Sequence, residues 1–338
     1  MNIQIYIFKR LKKIFLLMKN KPIIIINGEP NSIFLEIFFK TISYKKFKTP
    51  IILITSLEIL KLQMKKFRFK ANINLIEIKD IKKDKLDNKF INIIDVKYNQ
   101  RKVFEKISNK SNSFIKNSFD VALNILNQGL SNKFINGPIS KKSFLNKNYL
   151  GITEYLAKKT NSKKTAMLIY NKSLSVCPIT THLPLKMVAK KITKDLIYEK
   201  VFLIYNFYKK NRMLKPKIAI LGLNPHCESI LKFNEDEKIL KPAIKNLFDL
   251  GYKTYGPFSA DTFFLKNNRK KFDVVIGMYH DQVLTPFKTI FEYNAINITL
   301  GLPFIRISPD HGPNEKMLGK NISNPQSLIE AINFLDKN

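Results

Sequence analysis

Short, wholly apolar runs alternate along this chain with longer amphipathic stretches. Ile23–Ile26 and Ile51–Thr55 read as buried strands. Ser32–Ser43 and Ser56–Phe67 carry apolar residues three and four apart and read as helices. A third strand is expected at Asn74–Ile78, followed by a lysine- and aspartate-rich surface connection over residues 79–92. The periodicity from Lys110 to Gln128 predicts a long helix, stopped by Gly129 in the manner of a glycine C-cap. Alternation of this kind indicates βαβ units on a parallel sheet.

Lys133-Phe-Ile-Asn-Gly-Pro-Ile-Ser-Lys141 reads as a strand entering a Gly-Pro turn, and a domain change is placed nearby. The middle of the chain holds further strands, with helices expected at Leu183–Ile192 and Leu196–Asn211. Strands at Ile296–Gly301 and Phe304–Ser308 and a helix from Pro325 to Leu335 close the chain. The last of these elements return to the first domain. The expected division is residues 18–130 plus 305–338 as a first α/β domain and 131–304 as a second. Residues 1–17 are either an extension or a mis-assigned start, with Met18 as the true one. The run Lys9-Arg-Leu-Lys-Lys13 interrupts any signal-peptide core, and no segment reaches the length of a membrane span without charge.

Three of the four histidines share one setting. His182, His226 and His280 each stand at the C-terminal end of an apolar run: Leu174–Thr181, Lys217–Pro225 and Phe272–Tyr279. In open α/β sheets, ligands bind outside the carboxyl ends of the strands. Three imidazoles delivered to that edge can meet around a divalent cation. The spacing alone leaves open the alternative of three separate histidines, each satisfied by a local hydrogen bond.

Composition adjusts this picture in two places. The net charge of +33 would ordinarily suggest nucleic acid or an anionic membrane. Here the basic residues are spread throughout and are nearly all lysine; the arginines are Arg10, Arg68, Arg101, Arg212, Arg269 and Arg306. Lysine, asparagine, isoleucine and phenylalanine share A/T-rich codons, so coding bias accounts for the charge. No specific nucleic acid and no membrane are expected as partners, although a positive field would steer a small phosphorylated substrate inward. Two cysteines make no disulfide framework and point to the reducing cytoplasm. Cys177 reads as a small buried hydrophobe, and Cys227 as a lining residue or a soft metal ligand.

A set of ordered motifs carries more weight than any one of them: Asn136-Gly-Pro-Ile-Ser-Lys141, Gly151-Ile-Thr-Glu-Tyr-Leu-Ala157, Thr180-Thr-His-Leu-Pro-Leu185 and Leu221-Gly-Leu-Asn-Pro-His226. They continue with Gly256-Pro-Phe-Ser-Ala-Asp-Thr262, Met278-Tyr-His-Asp-Gln282, Asn297–Arg306 and Asp310-His-Gly312. In order and spacing this set resembles the 4-hydroxythreonine-4-phosphate dehydrogenase family of pyridoxal phosphate synthesis, over roughly residues 20–335. The resemblance implies a two-domain α/β/α fold of the isocitrate and isopropylmalate dehydrogenase type, with the active cleft between domains. It implies a homodimer with shared active sites, in which His182, His226 and His280 bind one divalent metal (zinc, magnesium, manganese or cobalt). It also implies NAD as cofactor, with NADP as the alternative, and substrate contacts from Thr153, Lys288, Asn297 and Arg306. The implied reaction is oxidation of 4-phosphooxy-threonine followed by decarboxylation to 3-amino-2-oxopropyl phosphate. Asp261, Asp281 and Lys141 are the candidates for moving a proton; His311 reads as cofactor-side or structural.

The chain departs from the family's pattern at several points. The usual Gly-His-Thr-Glu is Gly151-Ile-Thr-Glu154, so a polar substrate contact is absent at Ile152. The glycine-rich N-terminal motif is Gly28-Glu-Pro-Asn-Ser-Ile-Phe-Leu-Glu36, with Ser32 and Phe34 in place of glycines. After His226 the usual Ala-Gly-Glu is Cys227-Glu-Ser229. No Gly-x-Gly-x-x-Gly fingerprint supports a Rossmann-type cofactor site. These departures keep two alternatives in view: a dehydrogenase of a related four-carbon phosphorylated sugar acid, and a metal-binding relative without activity.

Overall fold

Isoleucine-rich runs, branched at Cβ and suited to a pleated buried surface, make most of the strands. The computed structural model describes residues 21–82, 86–145, 149, 151–212, 215–230, 233–309 and 312–337. The expected extension at 1–17 lies outside them. The strands are β1 (Ile23–Ile26), β2 (Ile51–Thr55), β3 (Ile73–Leu75), β4 (Ile91–Asp95), β5 (Lys133–Asn136) and β6 (Ala166–Tyr170). They continue as β7 (Ser175–Thr180), β8 (Ile218–Leu221), β9 (Thr254–Phe258), β10 (Val274–Tyr279), β11 (Ile296–Leu300) and β12 (Ile305–Pro309). The longer helices are α1 (Phe34–Tyr44), α2 (Leu57–Lys66), α3 (Asn112–Asn127) and α4 (Ile152–Lys159). After these come α5 (Lys194–Arg212), α6 (Lys241–Asp249), α7 (His280–Phe291) and α8 (Gln326–Lys337).

The chain divides into two compact units, the first built from residues before Tyr149 and from Phe304 onward, the second from Tyr149–Pro303. In the first, strands run β3-β4-β2-β1-β5-β12, and every pairing is parallel. Helix α3 lies against β1 and β2, and α8 against β12 and α1. Ser56, expected as the first residue of the helix, instead caps α2 by accepting from the Ile59 N–H. Helix α3 ends one residue before Gln128, and Gly129 follows with φ +67°.

The second unit runs β11-β6-β7-β10-β8-β9. Its β7, β10, β8 and β9 are mutually parallel, whereas β6 is antiparallel to both β11 and β7. Met167, Ile169, Val176 and Val275 from the strands join Val283, Leu284 and Phe287 of α7 in one buried cluster. Their alternates Leu168, Cys177 and Ile276 point to the opposite face, as strand geometry requires. Helix α5 packs against β6, β7 and β11. Among the described residues, no helix is long and apolar enough to cross a membrane.

Several sequence expectations need correction. The strand expected at Asn74–Ile78 is Ile73–Leu75, and the connection expected over 79–92 already contains the first residues of β4. The short strand Ile91–Asp95 sits against lysines that hide it from a composition-based reading. The boundary at 130/131 falls before β5, yet β5 pairs with β1 and β12 inside the first unit. The Gly-Pro turn that suggested a domain change simply ends that strand. A parallel reading of the sheets misses the antiparallel β6 and β11. The helix expected at Leu183–Ile192 is a 3-10 turn, Leu185–Met187, followed by a single helical turn, Val188–Lys191.

In the first unit, the loop after β1 buries a carboxylate. Glu29 is fully buried; its Oε1 accepts from the Asn31 N–H at 3.2 Å and its Oε2 from the Ser111 hydroxyl at 2.9 Å. Burial pushes its pKa above the ordinary 4.5, outweighing the lowering by Asn31 and Ser111. The folded state therefore holds this proton more tightly than the unfolded chain. Glu29's contribution to stability is complete below about pH 4.5 and is lost as pH rises through the raised folded value. Glu29→Gln keeps an acceptor for Asn31 and has no charge to bury. Its urea midpoint relative to wild type is expected to rise between pH 4 and 8; a relative midpoint that falls with pH would contradict the sign.

Candidate active site

Strands β7, β10 and β8 are neighbours in that order, parallel and in register, with Tyr279 opposite Thr180 and Ile276 opposite Ile220. Their carboxyl ends thus share one edge. His182 follows β7 by two residues, His280 follows β10 directly, and His226 follows β8 by five. The His182 and His280 rings stand 6.3 Å apart, tilted by 35°. Side chains lace the strand ends together: Thr180 Oγ1 donates to the Met278 carbonyl at 2.7 Å, and Gln282 Nε2 to the Gly222 carbonyl at 2.7 Å. Gln282 Oε1 in turn accepts from the Met278 N–H at 2.7 Å.

Carboxylates stand behind two of the rings. His280 Nδ1 lies 2.6 Å from Asp281 Oδ1. The tautomer this contact favours carries its proton on Nδ1 and leaves Nε2 with a lone pair for a ligand. His182 Nδ1 is 3.9 Å from Glu154 Oε1, an ion-pair distance too long for a hydrogen bond. The other oxygen, Glu154 Oε2, is buried with no hydrogen-bond partner. Gly151 makes room for this arrangement: a Cβ there would sit 2.9 Å from Glu154 Oε2 and 3.4 Å from His182 Cε1. A cavity of about 160 Å³ adjoins the pair, with Thr153, Thr165, Thr181 and the buried Lys200 among its lining residues.

The remaining predicted residues divide between the two units. Thr153 Oγ1 and Thr299 Oγ1 are 3.4 Å apart. Asn297, two residues from Thr299 on β11, has a buried Oδ1 with no partner. Lys288 is exposed in the last turn of α7, eight residues beyond His280. Asp261 is exposed, accepts from the Ser259 hydroxyl at 2.7 Å and is held below the usual carboxylate range, chiefly by that bond; His226 lowers it further. Arg306 belongs to the first unit, where it is buried in β12 and its Nε donates to Asn136 Oδ1 at 2.7 Å. The side chain of Lys141, and all of His311, lie outside the described residues.

Cys177 is buried and its thiol is pushed up to about 12 by burial, which makes it an inert core residue. Cys227 is buried beside Gly222, and burial raises its thiol as well. Asn136, Glu154, Asp236, Gln282 and Thr299 were not singled out from the sequence. Glu154 and Gln282 stand inside motifs already noted, next to a predicted ligand or substrate contact; Asp236 has no such signal.

The donor set suits a divalent cation: imidazole nitrogens at one edge, with carboxylates behind two rings and an orphaned carboxylate oxygen beside His182. Among the described residues, no three His, Cys, Asp or Glu side chains are close enough together to hold one ion. His182, His226 and His280 thus share an edge without forming a closed triad in this conformation.

The family model described as "Pyridoxal phosphate biosynthetic protein PdxA" matches residues 46–335. The chain belongs to the PdxA family. A 4-hydroxythreonine-4-phosphate dehydrogenase from Sulfurihydrogenibium sp. is 48% identical over 199 residues, 58% of this chain and 61% of that relative. That match spans about three fifths of the relative's length. The D-threonate 4-phosphate dehydrogenase of Salmonella typhimurium is 32% identical over 302 residues, 87% of this chain and 92% of that protein. The crystal structure of 4-hydroxythreonine-4-phosphate dehydrogenase from Klebsiella pneumoniae superposes with a TM-score of 0.81 at 26% identity, covering 93% of this chain and 98% of that one. The mixed α/β architecture is therefore that of PdxA enzymes.

In this PdxA-family chain, Gly151→Ala should act on His182. The colliding atom is the end of a flexible side chain, so the cost in stability should stay within about 1 kcal/mol. The displaced carboxylate should shift the His182 Cε1–H resonance in NMR spectra and leave that of His226 in place. An unmoved His182 signal would refute the contact.

Proposed function

We propose that this chain is a divalent-metal-dependent dehydrogenase that oxidises 4-phosphooxy-threonine with NAD in pyridoxine and pyridoxal phosphate biosynthesis. NADP is the alternative acceptor. The observation that carries this reading is the delivery of His182, His226 and His280 to one edge of three adjacent parallel strands in a PdxA-family chain. The oxidation removes a hydride from the substrate's C3 and the proton from its hydroxyl; NAD, when bound, would be the hydride acceptor. The resulting 3-oxo acid breaks its bond to the carboxylate, releases CO2, takes up a proton and becomes 3-amino-2-oxopropyl phosphate. His182, His226 and His280 are the residues that would hold a cation of the zinc, magnesium, manganese or cobalt class, which would supply Lewis acidity for both steps.

The chain's own groups have separable tasks. Asp281 holds the His280 ring in one tautomer. Thr153 and the unpaired Asn297 Oδ1 offer hydrogen bonds to substrate, and Lys288 and Arg306 offer charge to its anionic groups. Asn136 takes the Arg306 Nε, which fixes the plane of the guanidinium. Asp261 is held below the usual carboxylate range, so it is anionic at neutral pH but a weak base; it is a candidate for proton transfer by its place in the Gly256–Thr262 motif, not by its pKa. Asp281 and Lys141 are the other candidates for proton transfer. The working assembly in this reading is a homodimer with shared sites, acting in the cytoplasm.

A second substrate is favoured by one observation. Ile152 stands where the family has histidine, at the first residue of α4 beside Thr153. A hydrocarbon there removes a hydrogen-bond partner and suits a related four-carbon phosphorylated sugar acid. The Salmonella relative named for D-threonate 4-phosphate matches 87% of this chain.

NADH formation with each substrate, with and without added divalent metal, tests the proposal. Metal-dependent turnover of 4-phosphooxy-threonine above D-threonate 4-phosphate is expected. The opposite ranking would move the assignment to the sugar acid, and turnover of neither by folded, metal-binding protein would leave a relative without activity. Ile152→His is expected to favour the amino acid substrate by about tenfold, the worth of one good hydrogen bond. His280→Ala should abolish both metal uptake and turnover.

A further inference from the structure

Resting on the reading of His226 as a metal ligand, we propose that Asp236 is the positioning residue that holds His226 at the shared edge. The loop from β8 to His226 is in an unusual conformation. His226 has φ +56° and Cys227 φ +61°, two consecutive side-chain-bearing residues in the left-handed region. Such conformations persist only where the surroundings impose them.

Asp236 supplies that constraint. It is fully buried, and its carboxylate faces the loop. Oδ1 accepts from the Leu223 N–H at 2.8 Å; Oδ2 accepts from the Asn224 N–H at 3.0 Å and from Asn224 Nδ2 at 2.9 Å. Three donors satisfy a carboxylate that would otherwise be costly to bury. Its own backbone is fixed in turn, since the Asp236 N–H donates to Asn234 Oδ1 at 2.9 Å. Gly222 completes the clamp: a Cβ there would meet Cys227 Sγ at 2.6 Å and Asp236 Oδ1 at 2.9 Å. On the other side, Gln282 binds the Gly222 carbonyl, so the loop that presents His226 is tied to the helix that begins with His280. Asp236 thus acts on the site through the backbone of residues 223 and 224, two to three residues before the imidazole.

The test uses the full chain with Co(II) as the probe ion. Wild type, Asp236→Asn, Asn224→Ala, His226→Ala and the Asp236→Asn/His226→Ala pair are compared in three ways. These are histidine Cε1–H NMR spectra without metal, Co(II) affinity by calorimetry, and the Co(II) visible spectrum. Asp236→Asn is expected to shift the His226 resonance, weaken Co(II) binding about 10–100-fold and alter the ligand-field bands. In the His226→Ala background it should cost no further affinity. An unchanged His226 resonance in Asp236→Asn, or an equal affinity loss with His226 already absent, would overturn the proposal. If Asp236→Asn does not fold, Asn224→Ala, which removes one of the three donors and leaves the carboxylate in place, carries the same test. A shifted His226 resonance in a protein whose wild type takes up no Co(II) would uphold the positioning role and refute the metal reading.

Discussion

The parallel register of β7, β10 and β8 is the constraint on which the candidate site depends. Adjacent strands lie about 4.8 Å apart, so three chain segments far apart in sequence end side by side. The isoleucines and valines of these strands are buried on both faces, and one residue of slip would move every side chain from the packing it fits on one face to that on the other. Register is therefore fixed by hydrophobic burial below the site. The histidines leave the strands after connections of different lengths, so burial alone does not aim them. That task falls to polar side chains at the edge: Thr180 on the Met278 carbonyl, Gln282 between Met278 and Gly222, and Asp281 on His280.

The first unit shows a different use of buried polarity. Its glycine-poor loop after β1 is filled from within. Ser32 Oγ donates to the Glu29 carbonyl at 2.7 Å and accepts from the Phe34 N–H at 3.3 Å, while the Asn31 N–H goes to Glu29. Phe34 is fully buried and its ring lies against Gly137. The backbone donors of Asn31 and Phe34 are thus committed to the chain's own oxygens. Any dinucleotide contact must use other groups, consistent with the lack of a Gly-x-Gly-x-x-Gly sequence. Arg306 is likewise organised by its own unit, through Asn136, whose Nδ2 is anchored on the Gly137 carbonyl at 2.9 Å.

What could be read from the sequence follows from the range over which each force acts. The βαβ alternation and the positions of β1 and β2 depend on neighbours within a few residues, and they were legible. The edge placement of the three histidines was also legible, because each follows a run that is apolar on both faces. Strand direction was not: β11 is antiparallel to β6, more than a hundred residues away, and the antiparallel turn from β6 to β7, Asn171-Lys-Ser-Leu174, carries no Asn-Gly or Asp-Gly signal. Nor was β5's membership of the first unit, which depends on β1 and β12. Asn136, Gln282 and Asp236 matter through what they touch across strand ends, and a polar residue among many lysines and asparagines carries no mark of that.

Asp236 bears on how the chain tolerates a strained backbone at His226. The family's glycine after His226 offers backbone freedom at a turn. Here Glu228 occupies that position and is extended, with φ −130° and ψ 159°. The left-handed conformation falls on His226 and Cys227, where side chains make it unfavourable. A chain with side chains at such positions must hold the strained backbone by contacts made elsewhere. The buried carboxylate across the loop, with Gly222 kept small enough to admit both Cys227 Sγ and Asp236 Oδ1, meets that requirement. The clamp lies ten residues beyond His226 in the chain and across the loop in space, and it holds the strained backbone that presents the imidazole at the edge.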